Sequence, residues 1–157
     1  MKTQPTTTPS RDDPRLSAWR TFLYAHAQVR RQLERELQAE QAMGLGDYEV
    51  LLILAYSPER RKRMSELADA LVLSRSGATR LVDRLEAAGL VERVSCETDR
   101  RGQWAQLTEA GYERLRGAAP THLRGIAEHF LDRIPAGELA DLERTLGRVL
   151  TEPIGLP

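Results

Sequence analysis

Two short runs of strand-like alternation, residues 90–95 and 103–107, most constrain what this chain of 157 residues can fold into. A tight polar turn joins them, so the pair predicts a β-hairpin. The other periodic segments repeat their apolar residues at the spacing of an amphipathic helix. Because 41% of the residues are hydrophobic, the chain can bury one real core. The predicted fold class is therefore mainly α with one small β-hairpin.

The helical segments are separated by residues that break helices. Residues 1–13 are polar and proline-rich, which predicts a disordered tail. Helical spacing then continues to about residue 41 and is broken by Gly44 and Gly46. Asp47 is the predicted N-cap of a second helix, which is apolar nearly all round and should be the most buried.

Two shorter helices with a tight turn between them follow in the middle of the chain. Ser65 is the predicted cap of the first, and the second covers about residues 76–88 and ends at Gly89 in a left-handed cap. The hairpin comes directly afterwards, which gives the order helix, turn, helix, wing. Thr108 is expected to cap a long helix that Pro120 kinks, and a last helix completes the chain.

In a helix–turn–helix domain the second helix enters the major groove of DNA. Here that helix carries polar side chains at its start and on its outer face. Arginine can bond both acceptors of guanine, while serine and threonine reach bases or phosphates. The candidate DNA-reading residues are Ser74, Arg75, Ser76, Thr79, Arg80 and Arg84. An ordinary solvated helix face is the alternative interpretation.

The turn between the two strands holds an acid, two arginines and a glycine. A hairpin in this position lies beside the groove that the helix occupies, and the minor groove accepts an inserted arginine. Arg101 and Arg100 are therefore candidate DNA contacts, with Asp99 to orient them, whereas a solvated surface loop is the alternative. Residues 60–104 carry ten basic and seven acidic side chains in a chain with 23 of each, so charge gives only weak support.

Two segments of the chain resemble the MarR family of bacterial transcription regulators: MSELADALVLSRSGATRLVDRLEAAGLVER and DRRGQWAQLTEAG. The wing signature of that family is Asp-x-Arg followed by a strand and Leu-Thr-x-x-Gly. The matching residues here are Asp99, Arg101, Leu107, Thr108 and Gly111. The flanking helices follow in the same order, so the resemblance covers about residues 16–150.

The resemblance implies a winged helix–turn–helix regulator that binds a pseudo-palindromic operator in double-stranded DNA as a homodimer. It implies helical dimerisation regions over residues 14–44 and 108–152 around a DNA-binding domain over residues 45–107. It also implies repression that ends when a small aromatic or anionic ligand binds between these parts. A short strand near the DNA backbone would make Arg61 and Arg63 candidate phosphate contacts, with a solvated basic run as the alternative.

Amphipathic aromatic side chains suit aromatic guests, so four residues are candidates to line the implied ligand pocket. They are Trp19, Phe22, His26 and Tyr48. Packing in the core is the alternative for all four. His122 and His129 lie two helical turns apart, whereas zinc-binding pairs on a helix lie three or four residues apart, so no metal site is expected. No cofactor is predicted either.

The remaining features argue against other classes of protein. The single cysteine, Cys96, cannot form an intrachain disulfide and is interpreted as a bystander thiol. The sequence has no phosphate-binding loop or nucleophile elbow, so an enzyme is not expected. It has no secretory signal and no membrane-spanning run, which predicts a cytoplasmic protein without a membrane partner. A helical protein–protein interaction module without specific DNA binding is the main alternative function.

Overall fold

The computed structural model describes residues 8–95 and 103–150. The α-helices within them are α1 (Leu16–Gln41), α2 (Leu45–Tyr56), α3 (Met64–Ala70), α4 (Arg75–Ala87), α5 (Glu109–His129) and α6 (Ala136–Gly147). The strands are β1 (Arg61–Arg63), β2 (Val91–Ser95) and β3 (Gln103–Leu107), and short 3-10 turns cover Pro58–Arg60 and Leu131–Arg133. The predicted fold class, mainly α with a small β-hairpin wing, is confirmed. None of the described helices is long and apolar enough to cross a membrane.

The core lies where α2 packs against α1, α4, α5 and the sheet. α2 is the most enclosed helix, as predicted, because five of its twelve residues are buried. The largest side chains with almost no exposure are Leu37, Val50, Leu51, Leu54, Leu67, Val82 and Val91. Full burial of one leucine or valine side chain stabilises a fold by about 1.5–3 kcal/mol. This cluster therefore holds the middle helices and the sheet to one another.

Two of the predicted helix starts are wrong, and one of them has a tertiary cause. α2 begins at Leu45 rather than after Asp47, and the main-chain N–H of Leu45 donates to the Glu34 carboxylate of α1 at 2.6 Å. A side chain from another helix thus caps α2, which leaves Asp47 inside its first turn. α3 begins at Met64, so Ser65 lies within the helix instead of capping it.

Other predicted helix ends are confirmed. Gly89 follows α4 with a φ of +70°, in the left-handed region that glycine adopts without steric strain. Thr108 Oγ1 accepts the main-chain N–H of Gly111 at 3.0 Å and so caps α5. α5 continues through Pro120 as one helix, and the kink predicted there stays a prediction. These caps fix where the hairpin leaves α4 and where the chain leaves the hairpin.

The predicted hairpin belongs to a three-stranded antiparallel sheet with the order β1-β3-β2. The added strand β1 is the one that the family resemblance implies, and its Arg63 pairs with Trp104 of β3. Arg93 of β2 pairs with Ala105 of β3. Because side chains alternate between the faces of a strand, Arg93 and Ala105 share the face of the buried Val91, and Trp104 lies on the opposite face.

Within the described residues, the first half of α1 and the whole of α6 carry apolar side chains that are not buried. Trp19, Phe22 and Leu23 in the first half of α1 are 55%, 44% and 42% exposed. α6 carries leucines at helical spacing, yet the described part of the chain buries none of its residues. Exposed apolar patches are typical of surfaces that bind another molecule.

Candidate nucleic-acid interface

α4 is oriented by one buried face and by a local cap. Ala78, Val82 and Leu85 face the core and are buried. The Ser74 hydroxyl accepts the main-chain N–H of Gly77 at 3.1 Å, which satisfies one of the donors that a helix start leaves unpaired. Packing of the apolar face therefore turns the polar face of α4 outwards.

The six residues predicted to read DNA all lie at the start of α4 or on its exposed face. The first turn of α4 contains no acid, so no side chain there offsets the positive end of the helix dipole. Within the part of the chain that the structure describes, Arg75 and Arg80 form no ion pair. The Thr79 hydroxyl donates to the Arg75 carbonyl at 2.8 Å. This face can therefore offer two guanidinium groups and short hydroxyls to a polyanion.

Arg84 has a partner inside the domain. Its Nη2 lies 2.6 Å from Oδ1 of Asp47, and its Nε donates to Oδ2 of Asp47 at 3.2 Å. Asp47 is largely buried, and its hydrogen bond raises the pKa of the Arg84 guanidinium. The pair ties α4 to the first turn of α2, and it explains why the Asp47 carboxylate is not used as a cap. That Arg84 contacts DNA stays a prediction.

The arginines of β1 pack on the outer face of the sheet. The guanidinium carbons of Arg61 and Arg63 lie 5.1 Å and 5.2 Å from the centroid of the Trp104 ring, within the range of cation–π attraction. Arg61 also forms an ion pair with Glu59 at 2.6 Å. These contacts brace β1 against β3, and the role of both arginines as phosphate contacts stays a prediction.

The predicted wing tip, Asp99, Arg100 and Arg101, lies outside the described residues, and so does Cys96. The structure describes the two strands that lead to the tip as far as Ser95 and Gln103. Of these two strands, β2 packs on α4. The DNA contacts predicted for the three tip residues stay predictions.

Known proteins resemble this chain in both sequence and fold. A family model described as MarR family matches residues 43–102. The crystal structure of AbsC, a MarR family transcriptional regulator from Streptomyces coelicolor, is 38% identical to this chain, with a TM-score of 0.78. That similarity covers 92% of this chain and 95% of AbsC. The chain belongs to the MarR family.

Other MarR-family and curated regulators are similar to this chain. The structure of Sco3205, a MarR family transcriptional regulator from Streptomyces coelicolor in complex with DNA, is 35% identical, with a TM-score of 0.80. The similarity covers 91% of this chain and 89% of Sco3205. The transcriptional repressor MprA of Escherichia coli (strain K12) is 38% identical over 90 residues, which are 56% of this chain and 51% of MprA. The chain thus spans about half the length of the curated relatives it matches.

The MarR-family signature after the wing has a physical basis in this chain. Thr108 caps α5 and also donates its hydroxyl to the Gly89 carbonyl at 2.8 Å. A Cβ at Gly111 would lie 2.0 Å from the Leu90 carbonyl oxygen, so only glycine fits there. The signature residues therefore lock the end of the hairpin onto the end of α4. Sequence comparison finds the pattern, while the close approach that requires it is visible only in the structure.

The four candidate ligand-pocket residues do not form one group. Three of them make a ladder along α1, with ring centroids 6.1 Å apart for Trp19 and Phe22 and 6.2 Å apart for Phe22 and His26. Tyr48 is buried, and its ring centroid lies 4.3 Å from that of His122 on α5. Burial raises the pKa of the Tyr48 phenol and lowers that of the His122 imidazole. The core-packing alternative thus describes Tyr48, whereas the ladder is exposed.

Sequence reasoning missed two cavities beside α1. One, of about 440 Å³, is lined by Arg30, Arg31, Glu34, Arg35 and Leu45. The other, of about 470 Å³, lies between α1 and the end of α5 and is lined by residues that include Val29, His129 and Phe130. Charged side chains on a long helix ordinarily indicate a solvated face, so the sequence contained no signal for the first cavity.

One group of side chains near the end of α5 has the composition of a cation site. His129 Nε2 lies 2.5 Å from Oε1 of Glu36, and one ligand atom from each of Glu36, Glu128 and His129 falls within 4.8 Å of the others. A carboxylate–imidazole hydrogen bond accounts for the Glu36–His129 pair without an ion. The spacing of His122 and His129 in the sequence does not predict this group, because His129 pairs with Glu36 of α1 and not with His122.

Proposed function

We propose that this chain is a DNA-binding transcriptional regulator that places α4 in the major groove and its hairpin wing in the adjacent minor groove. The observation that carries the proposal is the exposed polar face of α4, on which Arg75 and Arg80 form no ion pair with the described residues. Several other arginines, among them Arg30, Arg84 and Arg93, are paired with carboxylates. Unpaired guanidinium groups at the start of a helix suit phosphates and guanine edges.

A homodimer is the assembly that best suits the uncovered ends of the chain. The exposed aromatic residues of α1 and the leucines of α6 need a partner surface, and a second copy supplies a self-complementary one. A two-fold dimer sets its two reading helices about 34 Å apart, one turn of DNA. The operator it recognises is then pseudo-palindromic.

Repression is the mode of regulation that we propose. MprA is named a transcriptional repressor, and Sco3205 was crystallised in complex with DNA. A small aromatic or anionic ligand that binds dimers with more widely spaced reading helices would release the operator through its differential affinity for the two states. The exposed ladder on α1 and the arginine-lined cavity beside it are the places where such a ligand would bind.

The test is a selection of bound fragments from genomic DNA, followed by fluorescence anisotropy on the selected operator at two salt concentrations. Nanomolar affinity that falls steeply with salt is expected, because neutralised phosphates release counterions. Arg80→Ala and Arg101→Ala should each weaken binding at least tenfold. Arg116→Ala, which removes an exposed arginine of α5 paired with Glu113, is the matched control and should bind normally.

Two results would contradict the proposal. If no fragment is enriched, specific DNA binding is absent and a helical protein–protein interaction module becomes the better description. If a fragment is enriched but Arg80→Ala and Arg116→Ala behave alike, α4 is not the element that reads it.

A further inference from the structure

A partly buried arginine links the wing to the proposed reading helix. Arg93 lies on β2 with 20% of its side chain exposed, and its Nη2 is 2.5 Å from Oδ1 of Asp83. Its Nη1 donates to Glu86 Oε2, and its main-chain N–H donates to Glu86 Oε1 at 3.3 Å. Asp83 and Glu86 lie three residues apart on α4, so they project from neighbouring turns of the same side.

The place of this arginine in the sheet is unusual for a charged side chain. Arg93 pairs with the buried Ala105 of β3. It lies on the inner face of the sheet, the same face as the buried Val91, which is two residues earlier on β2. The two carboxylates of α4 meet the guanidinium there. Burial lowers the pKa of Arg93, but the hydrogen bonds and charges of the carboxylates outweigh it and raise that pKa overall, so the side chain stays charged.

Beside Arg93, open space separates α4 from the strands of the wing. A cavity of about 460 Å³ opens between them, lined by Thr79 and Asp83 of α4, Arg93 and Gln103 of the strands, and Met64. Nearer the core, the buried Val91 and Val82 close the contact. The ion pairs of Arg93 with Asp83 and Glu86 span this gap, two residues before β2 ends at Ser95.

We propose that Arg93 is a positioning residue that fixes the direction of the hairpin relative to α4, so that the helix and the wing reach neighbouring grooves together. The inference rests on the proposed function. Arg93 itself does not contact DNA in this account, because its guanidinium is directed to Asp83 and Glu86. Such a side chain contributes to binding by holding the DNA-contacting elements in the correct relative position.

Charge and positioning predict opposite results when the two carboxylates are neutralised. Removal of two negative charges beside a DNA-binding face should by itself strengthen attraction to phosphates. Loss of the link to Arg93 should weaken binding instead, since the wing is no longer held in register. The sign of the change in affinity therefore separates the two accounts.

The experiment compares the variant Asp83→Asn/Glu86→Gln with the matched control Asp69→Asn/Glu92→Gln, which loses the same charge. Asp69 and Glu92 are exposed, form no ion pair with the described residues, and Glu92 lies next to Arg93 on the opposite face of β2. Operator affinity is measured by anisotropy, with thermal unfolding of each free protein alongside. The first variant should bind about tenfold more weakly than wild type, and the control should bind equally or more tightly.

Arg93→Lys keeps the charge but cannot reach both carboxylates with one planar group. It should lose part of the affinity, and it serves as the test if the double variant does not fold. The inference is overturned if either variant that disturbs the link binds the operator as tightly as wild type. If the wild-type protein itself binds no DNA specifically, the proposed function fails and this inference fails with it, and that result is distinguishable from the first.

Discussion

The middle and the ends of this chain differ in how completely they bury their apolar surface. Around α2, the chain closes a core to which parts of α1 and α5 also contribute, and Leu51, Leu54 and Leu67 have no exposure. In α6, by contrast, the described part of the chain buries no residue, and Trp19 of α1 is 55% exposed. Apolar residues at helical spacing are thus buried in the core around α2, but they remain exposed or only half-buried in α6 and the first half of α1.

The difference teaches that helical periodicity predicts where a helix has an apolar face, but not what covers it. A closed core stabilises the chain on its own, so its stability should not depend on protein concentration. An open face is stabilised only when another surface binds, so its contribution should depend on concentration. The predictions below test this contrast in order of decreasing effect.

The largest effect is expected in the closed core. Leu51→Ala removes a fully buried side chain from α2 and should lower the free energy of unfolding by about 3 kcal/mol. The loss, measured by denaturant titration, should be the same at low and high protein concentration. Leu73→Ala, at a leucine that is 42% exposed, is the control and should cost less than about 1 kcal/mol. Equal losses would show that the core is not where the structure places it.

A second effect concerns the open face of α6. Leu142→Arg places a charge on the stripe that we propose to lie in the dimer interface, and it should weaken self-association about a hundredfold, or ~2.7 kcal/mol. Sedimentation equilibrium or light scattering after gel filtration gives the measurement. Glu143→Arg, at the exposed neighbouring position, should leave self-association unchanged. A dimer unaffected by Leu142→Arg would exclude this stripe from the interface.

A third effect is a dependence of stability on pH. Burial against Tyr48 lowers the pKa of His122 below its ordinary value of 6.5, so the unfolded chain takes up a proton more readily than the folded one. The stabilising contribution is therefore complete above about pH 6.5 and is lost as the pH falls below it. His122→Leu should reduce the difference in unfolding free energy between pH 7.5 and pH 5.5. An unchanged difference would assign the acid sensitivity to other groups.

The smallest effect lies in the turn between α3 and α4. Val72 has a φ of +54° and is 90% exposed, a conformation that strains a β-branched side chain and gains nothing from packing. Val72→Gly should therefore raise the free energy of unfolding by about 1 kcal/mol. Ala42→Gly, at a φ of +46° without branching, should gain less. A destabilised Val72→Gly protein would show that the turn is not strained.

Much of the fold could be predicted from the sequence because its signals are local. Apolar spacing predicted the helices, alternation predicted β2 and β3, and the caps at Gly89 and Thr108 depend on neighbours in the chain. The N-cap predicted at Asp47 failed because Glu34, from another helix, satisfies the start of α2. A competing tertiary partner of that kind leaves no trace in local spacing.

The candidate site was less predictable for the same reason. The exposed face of α4 follows from its periodicity, but the partner of Arg84 and the link from Arg93 to Asp83 join residues of different elements. Likewise, Tyr48 looked suited to a ligand pocket, and its burial against His122 became apparent only once α2 and α5 were packed. Pairings of this kind depend on the assembled fold.

The measurement that most directly tests the account is the affinity for the selected operator after five base pairs are inserted between its half-sites. A rigid dimer with reading helices one turn of DNA apart cannot contact both half-sites when they face opposite sides of the duplex. The account predicts a loss of at least a hundredfold, to the affinity of one half-site alone. An unchanged affinity would contradict it, because the chains would then read each half-site independently.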